Sequence, residues 1–177
     1  AFNISSTAHN LFLISFMAFG NAISIIVGQL LGSGKLEEAK DTSRKTLFFI
    51  VIISTLAGLL FIAFSSFIPE LYKTSPTVKD LAHSFMIIAG LCFPIYGFNT
   101  GCYFTLRSGG IAFITFLFDS AFALVVSIPL ALVLVRLTAL DIVWIYLYIQ
   151  VTEIIKSIIG FGLVQKGVWI RNFVYEQ

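Results

Sequence analysis

Residues 46–69 read TLFFIVIISTLAGLLFIAFSSFIP, and no charged side chain interrupts them. As a helix rising 1.5 Å per residue, this stretch is long enough to cross the roughly 30 Å hydrocarbon core of a lipid bilayer. A helix that is apolar on every side has no face to present to water. We therefore predict that residues 46–69 form a membrane-spanning helix.

The composition of the chain extends this prediction to the whole fold. Of its 177 residues, 58% are hydrophobic and only 11% are charged, and the mean hydropathy is +0.98. A soluble domain carries about 25% charged residues and keeps much of its surface in water. Backbone groups in lipid must be satisfied within the protein, so helices are the expected spanning form. The sequence predicts an all-α integral membrane protein whose first partner is the lipid bilayer.

The apolar residues fall in five blocks separated by short polar connectors. We expect spanning helices over about residues 1–31, 46–69, 81–106, 111–135 and 140–164. The connector at 32–45, GSGKLEEAKDTSRK, holds seven charged residues. Because its LEEAK core favours a helix, it predicts a short amphipathic helix lying along the membrane surface.

The basic residues are distributed unequally between alternate connectors. One side of the membrane receives seven of them and the other receives three. The larger set is Lys35, Lys40, Arg44, Lys45, Arg107, Lys166 and Arg171, and the smaller set is Lys73, Lys79 and Arg136. Since connectors rich in Lys and Arg stay in the cytoplasm, we predict that the larger set and the C-terminus are cytoplasmic.

The third block carries a proline and several polar residues near its centre. Pro94 has no N–H to donate and leaves a backbone carbonyl free, so we expect the helix to bend there. Tyr96, Asn99 and Thr100 follow closely. Lipid cannot satisfy such groups, so they are predicted to line a cavity or to bond to a neighbouring helix.

Three ionisable residues lie within the apolar blocks. Glu153 and Lys156 are three residues apart, so they share a helix face and are expected to pair with each other. Asp119 has no basic residue within one turn and needs a proton, water or a partner on another helix. Intramembrane charges are costly, so a structural ion pair and a role in ion coupling or gating both remain open for these residues.

The sequence gives no indication of a soluble enzyme. It contains no glycine-rich phosphate loop, no nucleophile elbow and no cluster of metal ligands, so neither catalysis nor a bound cofactor or metal is expected. The basic residues are scattered near block ends rather than gathered on one surface. Nucleic-acid binding is therefore not predicted.

Three motifs resemble those of the multidrug and toxic compound extrusion (MATE) transporters. The first is GQLLGSGKLEEA at 28–39, at the end of a predicted helix. The second is LRSGGIAFITFLFDSAFALVVSIPLALVL at 106–134. The third is VTEIIKSIIGF at 151–161, followed by KGVWIRNFV. Their order and spacing cover nearly the whole chain.

The resemblance implies a carrier of twelve helices in two six-helix lobes, in which this chain supplies helices eight to twelve, most of the C-terminal lobe. Helix seven and the N-terminal lobe would precede Ala1 and would be partners of this chain. The family resemblance also implies export of small organic cations or drugs, coupled to the return of Na⁺ or H⁺ by alternating access. The expected location is a cell membrane, a bacterial or archaeal inner membrane.

The motif residues are expected to have structural or gating roles. They are Gly28, Gln29, Gly32, Arg107, Gly109 and Gly110. One departure from the resemblance is Ile111, since such transporters commonly place Asp after RSGG.

Two alternatives to drug export stay open. A related architecture could move a lipid-linked saccharide precursor, whose anionic headgroup should demand a strongly basic cavity. The blocks offer Lys156 as their one deep cation, which argues against this cargo. The other alternative is that the isolated chain is a folded membrane fragment that transports nothing.

Overall fold

The computed structural model of the chain describes residues 1–110, 112–138 and 140–170, and these are helical apart from short connectors. Ile111 and Arg171, which figure in the predictions above, lie outside the described residues. The elements are α1 (Phe2–Gly32), α2 (Leu36–Ala63), a 3₁₀ turn (Ile68–Leu71), α3 (Pro76–Ser108), α4 (Ala112–Phe116), α5 (Ile128–Leu137) and α6 (Ile142–Gln165). Two π-helical turns, Leu117–Ala121 and Ala123–Ser127, connect α4 to α5.

Among the described residues, five helical segments are long and apolar enough to cross a membrane. They are Phe2–Gly32, Leu36–Ala63, Pro76–Ser108, Leu117–Arg136 and Ile142–Gln165. Large apolar side chains project outward from them, among which Phe48 is 70% exposed and Val125 is 73% exposed. The prediction of an all-α integral membrane fold is confirmed.

The separate surface helix predicted for residues 32–45 is wrong. Residues 33–35 make a short turn in which Gly34 adopts φ +73°, and α2 begins at Leu36 and continues to Ala63. No Gly or Pro lies between Leu36 and Lys45, and Glu37 and Glu38 lie in the first turn of α2, where acidic groups interact favourably with the helix dipole. The charged segment is therefore the beginning of the second span.

α3 is the central helix, and it packs against α1, α2 and α6. Its seam with α2 is built from small residues. A Cβ atom at Gly58 would collide with the carbonyl oxygen of Gly90, and one at Gly97 would collide with the side chain of Ser54. Small residues allow helices to approach closely in lipid, where packing replaces the hydrophobic effect as the source of association.

Pro94 does not break α3, which is helical from Pro76 to Ser108. Proline cannot donate to the carbonyl four residues earlier, which here belongs to Gly90. That carbonyl lies against Gly58 of α2. The close approach of the two glycines lets the Cα–H of Gly58 face a carbonyl that lacks its normal helical donor, a weak but favourable contact.

Alternate connectors meet at the same end of the bundle. Trp169, just after α6, is 1% exposed and belongs to one buried cluster with Leu31, Ala39 and Leu106. Its backbone lies directly against Gly109 in the turn after α3. The turns after α1 and α3 and the segment after α6 are thus neighbours, as the alternation of spans predicts. Which end faces the cytoplasm stays a prediction.

Candidate functional site

A network of hydrogen bonds joins the C-terminal half of α3 to the middle of α6. Asn99 is only 5% exposed, and its Nδ2 donates to Oε2 of Glu153 at 2.9 Å and to the Glu153 carbonyl oxygen at 3.2 Å. The Ser157 hydroxyl donates to Oδ1 of Asn99 at 2.8 Å. Each polar group of the Asn99 amide therefore has a partner on α6, which a buried amide requires.

Lys156 pairs with Asp119 and not with Glu153, so the predicted Glu153–Lys156 pair is not formed. Nζ of Lys156 lies 2.6 Å from Oδ1 of Asp119, and the Lys156 side chain is only 13% exposed. Residues three apart on a helix are offset by only about 60°. Here that offset is enough for Glu153 to contact α3 while Lys156 contacts the fourth span. Of the three possibilities left open for Asp119, a proton, water or a partner on another helix, the structure shows the third.

The acidic partner lies on a π-helical turn. Asp119 belongs to Leu117–Ala121, and π-helical turns often occur at functional sites. The neighbouring Phe118 is 4% exposed, packs close to Gly160 of α6, and places its ring 5.3 Å from Nζ of Lys156. The Lys156 ammonium is thus held by a carboxylate and by the face of an aromatic ring.

A second polar contact lies one turn from Glu153. Gln150 is 7% exposed, and its Nε2 donates to the Tyr146 hydroxyl at 2.9 Å. The side chain of Gln150 also faces the Tyr96 hydroxyl across the α3–α6 interface. Sequence reasoning missed Gln150, although its spacing of three residues from Glu153 places both on one face of α6 and could have revealed it.

Of the four residues predicted to line a cavity, Tyr96 and Asn99 instead form helix–helix contacts. Pro94 and Thr100 are half-buried on the same helix. A groove with a volume of about 640 Å³ lies elsewhere, between α2 and α6, and none of these four residues lines it. The polar seam between α3 and α6 thus corresponds to the interhelical bonding that the sequence left open.

The RSGG motif forms a tight turn. Gly109 is buried against the backbone of Trp169, and Gly110 adopts φ +73°, which L-residues with a side chain rarely adopt. The Arg107 guanidinium lies 5.9 Å from the Phe104 ring. These three residues therefore shape the end of α3 where the C-terminal segment packs.

The GQLLG motif is less closely packed. A Cβ atom at Gly28 or Gly32 would meet nothing within 4 Å among the described residues, and Gln29 is exposed. No other helix approaches these two glycines closely among the described residues. Gly20, earlier on α1, does make such an approach, against the ring of Phe104.

The chemistry available at the seam is that of oxygen ligands and exchangeable protons. Within residues 1–110, 112–138 and 140–170, no three His, Cys, Asp or Glu side chains converge as metal ligands. The Glu153 carboxylate accepts the Asn99 N–H, and Asn99 Oδ1 accepts the Ser157 hydroxyl, so the seam holds one carboxylate between α3 and α6.

Comparison with known proteins places the chain in a family. The sequence model of MatE, the family that the motifs resemble, matches residues 1–133 of the 177. A probable multidrug resistance protein NorM of Haemophilus ducreyi is 31% identical over 85 residues, which is 48% of this chain and 18% of that relative. No solved structure matches the chain. Since the family match covers well over half of the sequence, the chain belongs to the MatE family.

Proposed function

We propose that the chain is part of a secondary active transporter that exports drugs or organic cations in exchange for Na⁺ or H⁺. The observation that carries this proposal is the Glu153 carboxylate, hydrogen-bonded to Asn99 between two spans and far from either helix end. A carboxylate at this depth is costly, and in membrane proteins such groups mark ion pathways. MatE membership and the likeness to a probable multidrug resistance protein support the choice of cargo.

Glu153 is the proposed coupling residue. With a negative charge it accepts the Asn99 N–H, whereas a proton or a bound cation competes for the same oxygen. Ion occupancy would then weaken or rearrange the contact between α3 and α6. An ion can drive alternating access only if it binds one conformation better than the other, and a contact between two moving helices supplies that difference.

The Lys156–Asp119 pair is the proposed gating contact. It connects α6 to the fourth span, and that span is the least buried of the five. Asp119 is 56% exposed on the described chain. In the whole protein this side would face helix seven, the N-terminal lobe or lipid. Separation of α6 from the fourth span would break the pair, so its presence would favour one of the two conformations.

The remaining features of the proposal follow the sequence predictions. The protein would be a multi-pass protein of a bacterial or archaeal inner membrane with a cytoplasmic C-terminus. The chain spans under a fifth of the length of the NorM relative, so the proposed pathway needs helix seven and the N-terminal lobe. A lipid-linked saccharide is a weaker choice of cargo because Lys156, the deep cation of the described spans, is already neutralised by Asp119.

The test is dye export by the protein as its gene encodes it. We expect Glu153→Gln to reduce export at least tenfold at equal expression, because the amide cannot exchange a proton or balance a cation. Glu70→Gln is the matched control, since Glu70 is an exposed carboxylate outside the spans, and we expect it to export normally. Normal export by Glu153→Gln would remove Glu153 from the coupling mechanism.

A further inference from the structure

The groove of about 640 Å³ between α2 and α6 has a cationic end and an apolar end. Lys40 and Arg44 on α2 and Lys166 after α6 line the end near the Gly109 turn. Phe98 of α3 forms part of the wall between the two helices. A volume in the range of about 300–1,000 Å³ is typical of ligand sites.

Both walls of the groove change from charged to apolar in the same direction. On α2, Lys40, Arg44 and Phe48 follow one another at four-residue intervals, which places them in one stripe along the helix. On α6, which runs in the opposite direction, Phe161 precedes Lys166. The cations therefore lie at one level, at the ends of the spans, and the apolar side chains lie deeper.

The charge of the groove determines which class of ligand fits. Its described lining contains three cations and no carboxylate. Lys40 is already bonded to Glu37 at 2.6 Å, whereas Arg44 and Lys166 form no ion pair with any residue in 1–110, 112–138 or 140–170. Such a site attracts an anion and repels the organic cations proposed as cargo. It is thus distinct from the proposed transport site.

We propose that this groove binds an acidic phospholipid from the membrane leaflet at its cationic end. The phosphate would contact Arg44 and Lys166, and an acyl chain would lie on Phe48, Phe161 and Phe98. Basic pockets between spans at headgroup level recognise acidic lipids, and the arginine fork matches phosphate geometry. Free phosphate would use only the charged end and leave the apolar end empty.

Native mass spectrometry of the detergent-solubilised protein tests the proposal with two lipids of identical acyl chains, phosphatidylglycerol and phosphatidylcholine. We expect a retained phosphatidylglycerol adduct and a much weaker phosphatidylcholine adduct. The double variant Arg44→Gln/Lys166→Gln should weaken phosphatidylglycerol binding about 25-fold, since each cation near the surface contributes about fivefold. The control is the double variant Lys35→Gln/Lys73→Gln, which removes the same charge outside the groove. We expect it to bind phosphatidylglycerol as the unmodified protein does.

The apolar end is tested without changing the charge. Phe48→Ala should weaken the phosphatidylglycerol adduct, and its 70% exposure makes the substitution compatible with folding.

Equal adducts with both lipids, or an adduct unaffected by the Arg44 and Lys166 substitutions, would overturn the proposal. So would complete competition by inorganic phosphate, which would indicate a phosphate site only. An adduct that appears only after residues 171–177 are deleted would assign the groove to the chain's own tail.

Discussion

At the scale of single residues, several polar groups of the spans are partnered across helix interfaces. Asn99 connects Glu153 and Ser157, and Lys156 connects α6 to Asp119. A buried polar group without a partner costs about 1–3 kcal/mol, and a charge costs more. These contacts therefore fix which faces of α3, α6 and the fourth span meet, whatever further role they have in transport.

The Lys156–Asp119 pair allows a reciprocal test. Asp119→Asn leaves the largely buried Lys156 charge unpaired, and we expect it to lower the free energy of unfolding by about 1–3 kcal/mol. Lys156→Gln should lower it less, because the Asp119 side chain that it leaves unpaired is 56% exposed. Because the double variant leaves no unpaired charge, it should recover most of that loss. Thermal unfolding of the purified protein in detergent measures the effect.

The Lys79–Glu70 pair is the matched control for this cycle. It has the same 2.6 Å distance, but its Glu70 side chain is 65% exposed outside the spans. Exposed pairs contribute about 0–1 kcal/mol, so Glu70→Gln and Lys79→Gln should change unfolding little. Equal changes in the free energy of unfolding for the two pairs would show that the Lys156–Asp119 contact stabilises the fold no more than an exposed pair does.

At the scale of elements, the fold depends on the close seam between α2 and α3. The side chains at this seam are uncharged and small, because glycines and serines meet there. The Gly90 carbonyl, which Pro94 leaves without its helical donor, lies against Gly58. Composition indicates that small residues are present in these helices, but only the structure pairs Gly58 with Gly90 and Ser54 with Gly97. The seam holds α2 close to α3, and α3 also packs against α1 and α6.

Two glycine substitutions distinguish packing from helix propensity. Gly58→Ala should lower the free energy of unfolding by about 1–3 kcal/mol, because its methyl group would collide with the Gly90 carbonyl and force the helices apart. Gly28→Ala is the control: its position is open in the described chain, and alanine favours the helix by up to about 1 kcal/mol. Equal melting temperatures for the two variants would show that the seam tolerates wider spacing.

At the scale of the whole molecule, hydropathy predicts the spans well and their contacts poorly. Local composition predicts the five spans because each must cover the width of a bilayer. The separate surface helix at 32–45 is a wrong prediction because charge marks where a segment leaves the hydrocarbon, not where a helix ends. The Glu153–Lys156 pair is a wrong prediction because two residues on one helix can face different neighbours, and the rotation of α6 depends on long-range packing.

The distribution of basic residues predicts the orientation of the chain in the membrane. The basic connectors meet at one end of the bundle, and the positive-inside tendency places that end in the cytoplasm. With Cys92 and Cys102 replaced by Ser, single cysteines at Ser33→Cys and Ser75→Cys can be labelled in intact cells with a membrane-impermeant maleimide. We expect label at position 75 without permeabilisation and at position 33 only after it, since the two connectors lie at opposite ends of α2. The reverse pattern would invert the molecule in the membrane and place Arg44 and Lys166 in the outer leaflet.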